Sequence, residues 1–270
     1  MSPYSPEDLE KLVQAITTSP KYAQITPSLV ERIAAEELEK RGDYKNALKA
    51  ARTRLHQVTG AFLAPDINYA KWVDILKSIP PDNTQELQAF CQRVMRLHNS
   101  TAERLPYIEQ FFRTALADIS PVDSVLDLAC GLNPLALPWM PLAAGCTYYA
   151  CDVVLPMLAF LNQFFAASGI QGKAVPCDLS ACIPQQKVQL AILLKTLPCL
   201  DQLDKSLGPR LLAELNADHI LVSYPAKSLG GREKGMRRTY TQQFARLIEG
   251  TPFRVREFNF PNEMVFLLSR

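Results

Sequence analysis

Up to about residue 105 the apolar positions recur every three or four residues, the period of one buried helix face. In Pro27–Leu38, Leu29, Ile33 and the Ala34/Leu38 pair fall on such a stripe with polar residues between them. Tyr44–Leu55 and Thr84–Leu97 repeat the pattern, the second approached through Pro80-Pro81 and Asp82-Asn83. After Ser120-Pro121 the period shortens. Runs rich in β-branched and aromatic residues now alternate with helix-length stretches: Ser124–Leu128, Thr147–Cys151, Lys173–Val175, Gln189–Leu194 and His219–Tyr224. That alternation predicts βα units and a parallel sheet buried on both faces. Phe253–Phe258 and Glu263–Leu268 are separated only by Asn259–Asn262, which predicts an antiparallel hairpin at one edge.

The expected fold is therefore α/β. Five parallel βα units closed by a hairpin form the layout of class I (Rossmann-like) methyltransferases, a mostly parallel seven-stranded sheet. Here an all-α domain precedes it, with residues 1–106 as the helical part and 107–270 as the sheet domain. One segment invites another reading, because Val153–Gly172 is 20 residues without charge, about enough to cross a bilayer. Pro156, Asn162, Gln163, Ser168 and Gly169 interrupt it, and strand-like runs flank it. A buried helix against the sheet fits better, and no membrane partner is expected.

Composition is that of a folded globular chain, with 48% hydrophobic and 21% charged residues, which excludes a disordered tail or a collagen-like rod. The net charge of +2 means that any nucleic acid must be met by a local patch. Two such runs exist. Arg41–Gly60 holds five basic residues against Asp43, and Lys227–Arg246 holds six against Glu233. The seven cysteines form no C-x-x-C pair and mostly sit in apolar runs, which predicts reduced core thiols in a cytoplasmic protein and no metal. The first eight residues lack the pattern of a signal peptide.

In a doubly wound sheet, ligands bind beyond the carboxyl ends of the strands where strand order reverses. The first predicted strand runs into Asp127-Leu128-Ala129-Cys130-Gly131-Leu132-Asn133-Pro134, where Gly131 permits a tight turn close to a ligand. The second ends in Asp152, 21 residues after Gly131, an acid able to hold both ribose hydroxyls. Asp178 follows the third, placed to accept from an adenine amino group. The same residues also read as an ordinary strand-end acid (Asp127) and a helix cap (Asp152). A turn with a single glycine suits S-adenosylmethionine, which carries no phosphate, better than a dinucleotide. Gly230–Met236 has the G-x-x-x-x-G frame of a P-loop but not the Lys-Ser/Thr that follows it, so it is no nucleotide site.

Four stretches together resemble one family: Ser124–Leu137 around the single-glycine turn, Ala50–His56, Ser100–Leu105 and Ser223–Met236. They are similar to the aminoglycoside-resistance 16S rRNA (guanine-1405-N7) methyltransferases of the Arm/Rmt type, with matches spread through most of the chain. The resemblance implies S-adenosylmethionine as methyl donor, S-adenosylhomocysteine as product and the assembled 30S subunit with its 16S rRNA as substrate. It implies a cytoplasmic, monomeric enzyme. It also carries roles onto matching positions. Arg104 would pair with the donor's methionine carboxylate, and Gly131, in one loop with Asp127 and Ala129, would sit under the methionine portion. Asp152 would hold the ribose, and Asp178 with Leu179 would lie near the adenine. Lys195 would stand beside the target base as the catalytic-site residue. Arg52, Arg54 and His56 in the first basic run, and Lys227, Arg232, Lys234, Arg237 and Arg238 in the second, would contact rRNA.

The chemistry agrees with those residue types. Guanine N7 offers an in-plane lone pair and carries no proton at neutral pH, so attack on a sulfonium methyl needs no catalytic base. Positioning and exclusion of water should dominate. The chain has only three histidines, and the Asn/Asp-Pro-Pro-Tyr/Phe motif used on exocyclic amines is absent where Lys195-Thr196-Leu197-Pro198 stands. Lys195 reads as a contact to guanine O6 or the backbone, or else as a strand-end lysine snorkelling to solvent. Pro198-Cys199 raises a competing expectation, a cytosine-C5 methyltransferase with Cys199 as nucleophile, although the usual preceding acid is missing. A non-catalytic ribosome-binding module could keep the same fold, and a nicotinamide oxidoreductase would also place an acid after its second strand. His98, Trp72 and Trp139 read as structural.

Overall fold

Strands β1 (Val122–Leu128), β2 (Leu142–Asp152), β3 (Gln171–Pro176), β4 (Val188–Leu194), β5 (Ala217–Pro225), β6 (Arg254–Asn259) and β7 (Glu263–Ser269) form one sheet, ordered β3-β2-β1-β4-β5-β7-β6. The structure, a computed structural model, describes residues 4–57, 67–227 and 235–270. β1 to β5 pair in parallel, and β7 runs antiparallel to both β5 and β6. Strand order reverses between β1 and β4, which places a crevice beyond their carboxyl ends. β2 starts five residues before the run that its β-branched and aromatic content predicts. Ala143, Ala144 and Gly145 carry no strand signal, and Gly145, at φ +78°, lies in a register shift against β1.

Both faces of the sheet are covered. On one, α5 (Tyr69–Lys77), α6 (Thr84–Met95), α8 (Ile108–Ala115) and α9 (Leu155–Ser168) bring Phe90, Phe111, Phe112, Phe160 and Phe164 onto Val125, Tyr148, Leu190 and Ile192. On the other, α10 (Leu197–Leu203), α11 (Leu207–Glu214) and α12 (Met236–Ile248) bring Leu197, Leu211, Leu212 and Phe244 onto Leu193, Val222 and Phe266. α9 is the uncharged segment that approached membrane-span length. Its 14 residues rise about 21 Å, short of a bilayer core. The amide of Asn162 also binds both backbone groups of Ala174, which pins the helix to edge strand β3. No helix among the described residues is long and apolar enough to cross a membrane.

The N-terminal helices have a core of their own. α1 (Pro6–Thr17), α3 (Pro27–Arg41) and α4 (Tyr44–Leu55), with the short α2 (Pro20–Ala23) between the first two, enclose Leu12, Ile16, Leu29, Ile33, Leu38, Ala47, Ala51 and Leu55. Gly42, left-handed at φ +68°, stops α3, and the Asp43 carboxylate caps α4 by accepting from the Asn46 amide at 2.9 Å. This bundle is sewn to the sheet by a short strap. Ile25 bridges Val154, the Thr26 amide donates to the Val153 carbonyl at 2.8 Å, and the Leu155 amide donates to the Gln24 carbonyl at 2.9 Å.

Candidate functional site

The crevice at the reversal point is lined by Asp127, Ala129, Cys130 and Gly131 after β1, Asp152 after β2, Asp178 and Leu179 after β3, and Lys195 and Thr196 after β4. Helical residues roof it: Leu29 from α3, and His98, Thr101 and Arg104 at α7 (Asn99–Arg104). Its backbone is unusual. Ala129 and Lys195 are non-glycine residues with φ of 49° and 59°, a conformation held only where the surroundings enforce it and concentrated at functional sites. Gly131, at φ 51°, is required twice over, because a Cβ there would also lie 2.9 Å from His98 Nε2.

Asp152 is a rigid acceptor. Its Oδ1 receives the amides of Val153 at 2.6 Å and Val154 at 3.3 Å, and its Oδ2 receives that of Gly131 at 2.9 Å, so Oδ2 keeps further lone-pair capacity. Burial raises its carboxyl above the ordinary range, against those backbone hydrogen bonds. Asp127 lies deeper and accepts from the Tyr148 hydroxyl at 2.7 Å and the Asn133 amide at 2.9 Å. Burial pushes its carboxyl up to about 7, with those two hydrogen bonds and Arg104 opposing.

Arg104 is fully buried, an expensive place for a charge unless it is paired. Nη1 donates to Asn133 at 3.2 Å and Nη2 to Glu263 at 2.9 Å, while the guanidinium lies 4.9 Å over the Phe111 ring. Its Nε has no hydrogen-bond partner among the described residues. Lys195 joins the same network and does not snorkel. It is 5% exposed, donates to Glu103 at 2.5 Å and stands 3.7 Å from Glu263. His98 is buried against these cations. Burial, then Arg104 and Lys195, pull its imidazole down to about 4, so it is neutral at pH 7. Cys199 also lines the crevice, and burial raises its thiol to about 11. A thiol that holds its proton at neutral pH is a poor nucleophile, which weighs against the cytosine-C5 reading.

The sequence missed Glu263, Glu103, Asn133, Tyr148 and Arg32 as members of this site. Only Glu263 carried a signal, a lone acid opening the otherwise apolar run of β7. Asp178 and Leu179 lie where their spacing places them. The Asp178 carboxylate is already engaged by Arg32 of α3, whose Nε donates to Oδ2 at 2.9 Å.

The expected rRNA-facing residues divide. Lys45, Lys49, Arg52 and His56 form one exposed stripe on α4, opposite the buried Ala47, Ala51 and Leu55. His56 Nδ1 lies 2.8 Å from Lys21 Nζ, which adds a charge to that stripe. Arg54 faces inward and binds Glu36 at 2.8 Å and buried Glu37 at 2.9 Å, so its charge joins α3 to α4. At the second run, Lys227 is half-buried, Arg238 is exposed, and Arg237 donates to Asn259 at 2.7 Å and to the Phe260 carbonyl at 2.9 Å. Arg232 and Lys234 lie outside the described residues. Trp72 meets Phe90 edge-on at 5.9 Å, and both tryptophans pack against the core.

Comparison with known proteins agrees with this architecture. The family model described as ribosomal RNA methyltransferase (FmrO) matches residues 18–267. A 16S rRNA (guanine(1405)-N(7))-methyltransferase of Micromonospora echinospora is 33% identical over 274 residues, covering 100% of both chains. One of the same name from Serratia marcescens is 30% identical and covers 88% of each. Among solved structures, the 16S rRNA methyltransferase RmtF in complex with S-adenosyl-L-homocysteine superposes with a TM-score of 0.83 at 31% identity, over 99% of this chain and 100% of that one.

Proposed function

The chain belongs to the ribosomal RNA methyltransferase (FmrO) family, and on that premise we propose that it methylates N7 of guanine 1405 in 16S rRNA with S-adenosylmethionine, the modification that confers aminoglycoside resistance. The reaction takes place in the cytoplasm on the assembled 30S subunit, with a single copy of the chain acting. One juxtaposition supports the reading above all. The buried Arg104 guanidinium, with an uncommitted Nε, and the amide-held Asp152 carboxylate face one crevice at the strand reversal.

The residues fit the donor. Arg104 Nε suits a carboxylate, and the left-handed Gly131 turn, with no room for a Cβ, lets backbone approach closely. Asp152 keeps acceptor capacity on Oδ2 for a ribose hydroxyl, and Asp178 with Leu179 marks the adenine end. When bound, S-adenosylmethionine supplies an electrophilic methyl on a sulfonium. The chain's own work is positional, since N7 has no proton to surrender. Arg104 and Asp152 orient the donor, and the roof from Leu29 to Arg104 excludes water. Lys195 is held in a left-handed turn between Glu103 and Glu263, where it presents a cation to guanine O6 or a flanking phosphate. Reaching N7 in a folded rRNA helix requires the base to be extruded, at a cost of roughly a few kcal/mol. The α4 stripe and Arg238 bind the phosphates that offset that cost. On this division the α4 stripe and Arg238 bind rRNA and the crevice at the carboxyl ends of the strands binds the donor, with the α3 and α7 side chains named above forming its roof.

The deciding experiment incubates the protein with unmodified 30S subunits and labelled donor, then maps the product by borohydride and aniline cleavage with primer extension. A strong stop at guanine 1405 is expected. A stop at another nucleotide, or label without cleavage, overturns the assignment.

A further inference from the structure

We propose that Arg32, on α3 of the helical bundle, is a positioning residue of the donor site, holding Asp178 so that its carboxylate selects the 6-amino group of the donor's adenine. The inference rests on the reading of Asp178 as the adenine acceptor.

Arg32 is the hub of a connected set of side chains. Nε donates to Asp178 Oδ2 at 2.9 Å, Nη1 to Glu36 at 2.6 Å, and Nη2 to the Ser180 hydroxyl. That hydroxyl in turn donates to Asp178 Oδ1, as does the Ser180 amide at 3.0 Å. Oδ1 is gripped by both Ser180 donors and Oδ2 by Arg32, which fixes the carboxylate plane and leaves the remaining lone pair, on Oδ2, for a ligand amine. The Asp178 side chain is only 7% exposed, and it lines the crevice. A buried acceptor fixed this way discriminates strongly against a ligand lacking the matching donor, because the carboxylate would then lose its partner.

Independent contacts hold Arg32 itself in place. Glu36 is bound from its other side by Arg54 at 2.8 Å, and the strap of Gln24–Thr26 against Val153–Leu155 anchors the start of α3 next to Asp152. Leu29, one turn before Arg32, is fully buried and lines the same crevice. The helical bundle therefore supplies one wall of the donor pocket and the residue that sets its adenine end.

The test compares calorimetric binding of S-adenosylhomocysteine with that of its 6-deamino analogue, which carries hydrogen in place of the amino group. Wild-type protein should prefer the natural ligand by about tenfold or more. Arg32→Ala and Arg32→Gln should bring that ratio to within about threefold, chiefly by weakening the natural ligand, with Arg32→Lys in between. A purely structural arginine would weaken both ligands alike and keep the ratio, and that result overturns the inference while donor binding stands. Wild-type protein that binds both ligands equally removes the Asp178 premise and the inference with it. Wild-type protein that binds neither overturns the proposed function as well.

Discussion

Asp127 and His98 sit within one site and respond to acid in opposite senses. The unfolded chain ionises Asp127 near pH 4, whereas burial holds the folded proton up to about 7, against Arg104, Asn133 and Tyr148. The unfolded state releases its proton first, so this residue's contribution to stability falls as pH rises across that window and then levels. His98, pulled down to about 4 by burial and the cations beside it, loses its contribution as pH falls below the ordinary histidine value of about 6.5. Asp127→Asn separates the two effects, because an asparagine oxygen still accepts from Asn133 and Tyr148. Measured by urea unfolding at stepped pH, the variant should match wild type near pH 4. It should gain on the order of 3 kcal/mol by pH 7 and nothing further above it. A gain independent of pH would mean that the folded carboxyl is ionised throughout.

At the scale of elements, α3 and α4 depend on a charge that the sequence offers to RNA. Glu37 is 3% exposed and rests on Arg54, with Arg41 at 3.3 Å as a solvent-exposed second partner. Arg54→Ala should therefore lower the unfolding free energy by about 1–3 kcal/mol, the cost of an under-paired buried carboxylate. Denaturant titration checks this, and an unchanged midpoint would return Arg54 to the RNA-contacting face. The periodicity of Tyr44–Leu55 located α4 fully but did not tell which of its basic residues face outward, because Arg54 lies at the margin between the buried and exposed stripes. α5, α7 and α8 escaped the periodicity altogether. They have nine, six and eight residues, too few turns for the period to repeat, and the Phe111-Phe112 pair of α8 reads equally well in a strand.

At the scale of the molecule, the basic stripe and the crevice should be separable by mutation. Arg52→Ala combined with Arg238→Ala should weaken 30S binding and flatten its salt dependence by roughly one unit of slope per lost phosphate contact. Affinity for S-adenosylhomocysteine should stay as in wild type. Asp152→Ala should do the reverse, abolishing donor binding while 30S affinity persists. Filter binding across a salt series and calorimetry read the two quantities, and equal loss of both in either variant would refute the division.

The succession of strands along the chain, the terminal hairpin and the acids at the strand ends were legible in the linear pattern. Burial on two faces, tight turns and chain reversal each leave a local residue signature, and Gly131, Asp152 and Asp178 stand where that signature puts them. Pairing between distant residues leaves no such trace. The meeting of Arg104 and Lys195 at Glu263, 159 and 68 positions along the chain, required α7, the turn after β4 and the start of β7 to converge. So did the reach of Arg32 across 146 positions to Asp178. Those contacts exist because a buried charge must find its counter-charge in three dimensions, and only the folded chain determines which one lies within reach.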